Sequence, residues 1–177
     1  LPTSIQSILS HLAAYAIWPL LLAPFSAVPA EAGVVDSLSL WRGAFDVLES
    51  NWSTELGGEL RFASVATGEA PTRWTLRPAM GVMGTSEDAV YGYAGFRLEL
   101  PVNDWLTLTP QLGAGYYDRG EDKDLGGHFH FRSGIEATLR VTGRHSVGVL
   151  FYHLSNAGID NLNPGEESLV ATWSVSF

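Results

Sequence analysis

The sequence contains no cysteine. That excludes a disulfide framework, a thiolate metal site and a cysteine nucleophile. Basic residues are scarce: 10 Lys+Arg stand against 19 Asp+Glu, for a formal net charge of -9. Nucleic-acid phosphates need a basic footprint, so nucleic acid is not expected as a partner. Internal repeats and low-complexity tracts are also missing. Beyond Ala32 no apolar run reaches the roughly 20 residues that a membrane-spanning helix requires. The 177 residues suffice for one domain.

What is present divides in two. Residues from His11 to Ala30 carry no acid, Lys or Arg, and Ala30-Glu31-Ala32 places small residues at the spacing of a signal-peptidase site. Pro19, Pro24 and Pro29 would interrupt a spanning helix. Residues 1–32 therefore read as a signal peptide, although no Lys or Arg precedes Arg42 to supply its basic region. Residues 33–177 read as one β domain, rich in glycine (19), tryptophan (6) and tyrosine (6).

In that domain hydrophobicity alternates with period two, which puts successive side chains on opposite faces of a strand. Leu169, Ala171, Trp173, Val175 and Phe177 form one face, against Ser168, Thr172, Ser174 and Ser176. Val147, Val149 and Phe151 form another. Phe129, Phe131, Ile135, Ala137, Leu139 and Val141 alternate with His128, His130, Arg132, Glu136, Thr138 and Arg140. A soluble sandwich would turn the polar rows outward, and an outer-membrane barrel turns them inward. The export segment, the recurring apolar faces without a partner layer and the terminal Phe177 favour the barrel. Strands are expected at about 37–47, 54–63, 73–83, 89–100, 104–116, 126–141, 145–155 and 167–177. The fold class is thus all-β: an eight-stranded antiparallel outer-membrane barrel with a side-chain-filled interior. Phe129, Phe131, Val149, Phe151, Leu169 and Trp173 should face lipid. The connection over Ser64–Thr72 is long for the periplasmic turn this topology assigns to it.

Three polar residues break the apolar rows. His153 and Ser155 continue the face of Val147, Val149 and Phe151, and Glu167 shares the face of Leu169 and Ala171. Polar groups at a lipid surface are costly and point to function. Their types suit acyl transfer: a serine hydroxyl, an imidazole to take its proton, and a carboxylate to fix the imidazole tautomer. Oxyanion donors could be the Asn156 side chain and a backbone N–H near Gly158. Other candidates are weaker. His128 and His130 could pair on a metal, but both are expected to point into a polar interior with Arg132 and Glu136. Asp160, Asn161 and Asn163 lack the spacing of a calcium loop.

The segment from His153 to Ser168 resembles the signature of the lipid A 3-O-deacylase family. It carries His-x-Ser-Asn-Ala-Gly over His153–Gly158, then Asn163, Gly165 and Glu167-Ser168. The likeness is strong over the last 50 or so residues, and before them it lies mainly in the strand pattern. It implies an eight-stranded outer-membrane barrel that releases a 3-hydroxy fatty acid from lipopolysaccharide without a metal or other cofactor. It also implies His153 as general base, Ser155 as nucleophile, Glu167 as the acid, and Asn156 and Gly158 at the oxyanion hole. Glu166 departs from the family's apolar neighbour and competes with Glu167 for His153. The substrate would be lipid A, reached from the surrounding outer-membrane lipid. Two other readings stand beside this one: a non-catalytic structural barrel, and an esterase or phospholipase acting on other lipids of the same membrane.

Overall fold

The computed structural model describes residues 34–69 and 73–177. The expected signal peptide at 1–32 lies outside them. The alternating segments form Val35–Phe45 (β1), Ser53–Phe62 (β2), Ala66–Gly68 (β3), Trp74–Thr85 (β4), Val90–Pro101 (β5), Leu106–Asp118 (β6), Phe129–Arg140 (β7), His145–Ser155 (β8) and Glu166–Ser176 (β9). Each long strand pairs antiparallel with its neighbours, β1 pairs with β9, and β2 pairs with β4. The sheet closes on itself, so eight long strands form a barrel without an exposed edge.

The short β3 accounts for the long Ser64–Thr72 connection. After Arg61↔Ala79 the ladder resumes at Ala66↔Leu76, so five steps on one side face three on β4. Two extra residues bulge out, and the chain then rejoins the same edge of β4.

Parity sorts the wall as expected. Phe129, Phe131, Val149 and Phe151 are exposed, and Leu169 and Trp173 are half-exposed on the same outer side. The intervening residues fill the interior. Trp41, Phe45, Tyr91, Tyr93, Tyr117 and Tyr152 are buried there, and a Cβ on Gly57 would collide with the Trp41 ring. Three long connections, 46–52, 119–128 and 156–165, gather at one end with the short 86–89, which is the extracellular signature. The shorter 102–105 and 141–144 lie at the other, with Val34 and Phe177.

A charge network locks the barrel centre. Glu136 accepts from Arg61 (2.8 Å), Arg97 (2.7 Å) and Thr172 (2.6 Å). Glu59 accepts from Arg61 (3.0 Å) and Tyr93 (2.7 Å) and pairs with Arg97. Arg132 donates to Tyr93 and Gln111, both at 2.9 Å, with its guanidinium over the Tyr152 ring. These groups come from six strands, β2, β5, β6, β7, β8 and β9, so one cluster fixes most of the circumference.

Replacing Glu136 by alanine leaves two buried guanidinium groups, those of Arg61 and Arg97, to share the single carboxylate of Glu59. Breaking a buried pair in this way costs about 3–5 kcal/mol. Urea unfolding followed by tryptophan fluorescence should show that loss for Glu136→Ala and a smaller one for Glu136→Gln. Equal stability of Glu136→Ala and the parent would show that the network does not hold the wall.

Candidate active site

Strands β8 and β9 meet at the extracellular end, where His153 and Glu167 are direct cross-strand partners. Both side chains are partly open, at 38% and 30% exposure, on the lipid-facing side. The His153 Nδ1 lies 3.1 Å from Glu167 Oε1. A carboxylate there favours the tautomer with hydrogen on Nδ1, leaving the Nε2 lone pair available. Ser155 is the next outward position on β8 and the strand's last residue, with Phe131 opposite on β7. The described geometry thus brings His153, Ser155 and Glu167 to one patch of the outer wall.

The two adjacent glutamates go to opposite sides. Glu167 faces outward, whereas Glu166 is fully buried in the barrel. The Glu166 Oε2 accepts from Ser168 Oγ at 3.0 Å and from the Asp46 N–H at 3.3 Å. Only Glu167 of the pair touches His153.

Gly165 was legible in the sequence only as part of a motif, without a task. Its φ is +68°, and a Cβ placed on it would stand 2.6 Å from His153 Cε1 and 3.3 Å from Nε2. The imidazole therefore lies against bare backbone. Glu167 holds one edge of the ring, and Gly165 leaves room for the other. A second residue missed from sequence is Ser133, the partner of His153 on β7, which sits exposed between Phe131 and Ile135.

Asn156 and Gly158 differ from expectation. Asn156 follows Ser155 and so turns inward, where it is fully buried. Its Nδ2 donates to the carbonyls of Leu125 (3.2 Å), Gly126 (2.9 Å) and Leu162 (2.7 Å). Its Oδ1 accepts the Gly158 N–H at 2.9 Å. The Asn156 side chain and the Gly158 N–H are thus engaged within the loops. What they do is brace 156–165 against 119–128. Asn163 Oδ1 adds a bond from the Asn156 N–H at 3.0 Å. Gly126 and Gly127, at φ +76° and +71°, pack so closely on Leu162 and Asp160 that a Cβ would clash.

The 119–128 loop is anchored further by Leu125, buried in the barrel mouth, and by Lys123, whose Nζ is 2.8 Å from Asp46 Oδ1. Burial pushes the Asp46 carboxyl above its ordinary range, against the opposing pull of Lys123.

The histidine pair is corrected. His130 points inward and is fully buried, as expected, but His128 is exposed outside and stacks on Tyr116 at 4.8 Å between ring centroids. The left-handed Gly126-Gly127 step delays β7 until Phe129, so strand parity does not govern His128. The two imidazoles therefore do not share a metal. Among the described residues no three His, Cys, Asp or Glu side chains are grouped to hold one.

Residues 39–176 match the family model described as lipid A 3-O-deacylase (PagL). A search of curated proteins finds no match. Among solved structures, the chain is similar to the outer membrane enzyme PagL at 21% identity and a TM-score of 0.64, covering 80% of this chain and 99% of that one. It is also similar to a de novo designed transmembrane β-barrel at 13% identity and a TM-score of 0.50, covering 80% and 96%. At these identities the structural likenesses establish the barrel fold.

Replacing Asn156 by alanine removes the donors of three interloop and loop bonds. Amide exchange should quicken in both 119–128 and 156–165, while the β8–β9 ladder stays protected. Faster exchange confined to 156–165 would show that Asn156 does not join the two loops.

Proposed function

The chain belongs to the lipid A 3-O-deacylase (PagL) family of outer-membrane barrels, and from that we propose that it hydrolyses the 3-O-linked acyl ester of lipid A with Ser155, His153 and Glu167. The observation that carries this reading is the His153–Glu167 pair at 3.1 Å on a wall that otherwise faces lipid.

In the proposed reaction the Ser155 Oγ attacks the ester carbonyl while His153 Nε2 takes its proton. The tetrahedral intermediate collapses, and His153 returns the proton to the sugar oxygen as it leaves. Water then attacks the acyl-serine with His153 again as base, which releases the fatty acid and restores Ser155. Glu167 orients the ring and stabilises the imidazolium. In this reading Asn156 serves by holding the turn after Ser155. The Ala157 N–H, in left-handed backbone at φ +54°, is the proposed oxyanion donor.

The site's height supports the substrate. Ser155 ends β8 at the extracellular side, where the acyl esters of an outer-leaflet glycolipid begin below the headgroup. The acyl chain can lie along Val149 and Phe151 without leaving the bilayer.

Ser155→Ala and His153→Ala should lower deacylation by about a thousandfold or more, with the barrel still folded. Glu167→Ala should cost about a hundredfold or more through the loosened imidazole. Gly165→Ala should act in the same direction by displacing the ring. Glu166→Ala should leave the chemistry largely intact. Mass spectrometry of lipid A from expressing cells reads these outcomes, and a fluorophosphonate probe should label Ser155. An essential Glu166 beside a dispensable Glu167 would overturn the assignment. An unlabelled Ser155 with unchanged lipid A would favour a structural barrel, and hydrolysis of other lipids alone would favour a phospholipase.

A further inference from the structure

The wall below Ser155 is apolar, and an acyl chain already in the bilayer gains little by moving onto it. Transfer from water is worth about 0.8 kcal/mol per CH₂, and that gain is absent between two apolar surroundings. Selection of one acylated lipid over another therefore has to come from polar groups above the ester. We propose that the β6–β7 loop forms the headgroup subsite of this same active site: a cleft beside Tyr117, Asp118, Arg119, Asp124 and His128 takes the glucosamine sugar of the glycolipid. The inference rests on the reading of Ser155 as the nucleophile.

Position is the first support. The cleft is half open to solvent and has a volume of about 370 Å³. Phe131 is the cross-strand partner of Ser155, and the ladder continues upward to His128 through the Tyr117 N–H to His128 carbonyl bond. One strand across and three residues along put the Cα atoms of Ser155 and His128 roughly 11 Å apart. The cleft thus lies laterally beside the nucleophile at the extracellular rim, a separation that one or two hexose rings can span.

Lining chemistry is the second. Asp118 and Asp124 can accept from sugar hydroxyl and amide groups, and Arg119 can donate to them. The Arg119–Asp124 pair at 3.0 Å has side chains 57% and 51% exposed, so little is lost when a ligand replaces it. Tyr116 and His128 stack into a flat aromatic surface at the adjoining rim. The His128 Nδ1 is held by the Tyr117 carbonyl at 3.0 Å, which fixes the ring's orientation. With two carboxylates against one guanidinium, the lining suits neutral sugar groups better than phosphate.

The third support is coupling to the triad. Leu125 and Gly127 complete the cleft, and Asn156, next to Ser155, bonds the Leu125 and Gly126 carbonyls. The same side chain that braces the turn after the nucleophile braces the cleft floor.

The test compares lipid A with a p-nitrophenyl ester of matched acyl length, using purified protein in micelles. Arg119→Ala, Asp118→Asn and His128→Ala should each raise KM for lipid A by about tenfold, the loss of one or two hydrogen bonds. The kcat should stay close to the parent's, and hydrolysis of the p-nitrophenyl ester should not change. Ser155→Ala should abolish both reactions, which tests the catalytic reading separately. Direct binding of lipid A to Ser155→Ala protein, with and without Arg119→Ala, keeps the subsite testable whatever the activity. A dephosphorylated lipid A should bind at least as well as the phosphorylated form. Equal losses on both substrates, unchanged KM and binding of lipid A in the cleft variants, or a strict need for phosphate would each overturn the proposal.

Discussion

The structure depends on where its buried charges must sit. Glu59 and Glu136 bind Arg61 and Arg97 inside the barrel, and Arg132 sits beside them among tyrosines. Turning any of these groups to lipid would cost several kcal/mol. A one-residue slip of a strand exchanges its two faces completely. The interior network therefore forbids such a slip in β7 and, through Glu136 and Thr172, holds β9 to it. From that constraint the outward set follows, and His153, Ser155 and Glu167 belong to it because Tyr152, Leu154 and Ser168 belong inside.

The same parity separates two acids that are neighbours in sequence. Glu166 lies among Ser168 and Asp46 in the packed mouth, and Glu167 lies against His153 at the lipid boundary. Their roles cannot be exchanged by a small rotation, because the β-strand backbone lies between them. Glu166 instead tightens the join between β9 and the end of β1, which steadies the strand that carries Glu167.

Much of this was legible beforehand because period two is a strong signal where one face meets lipid and the other a polar core. Strand order, the outward aromatics and the His153, Ser155, Glu167 constellation followed from it. Parity fails where the chain leaves the strand. His128 was placed inside by counting back from Arg132, but the left-handed Gly126-Gly127 step turns it out onto Tyr116. Asn156 was read by residue type, as an amide beside a nucleophile, although inward parity already turned it away from Ser155's face. Its partners are backbone carbonyls, which carry no mark in the sequence. Gly165 was visible, but its use as a seat for the His153 ring depends on the cross-strand register of β8 and β9, and β3 depends on a bulge that no hydrophobic pattern announces.

A rigid wall solves half of the problem of acting on a lipid. The ladder between β8 and β9 fixes the His153–Glu167 pair at the extracellular end of the wall, where, in the proposed reaction, the ester of a laterally diffusing lipid reaches it. A lipid held only by its chains remains free to rotate and slide, however, so in the proposed reaction the fixed wall residues alone would present the Ser155 hydroxyl to a poorly oriented carbonyl. Orientation has to come from above the membrane plane, from loops that would ordinarily be the most mobile part of a barrel. Here Leu125, Lys123, Asn156 and the close packing at Gly126 and Gly127 tie 119–128 to the barrel mouth and to the turn after Ser155. That bracing makes the loop an extension of the rigid wall. It lets polar groups at the rim act at a fixed distance from Ser155, the proposed nucleophile, which is the condition for binding energy in a headgroup to be felt at an ester.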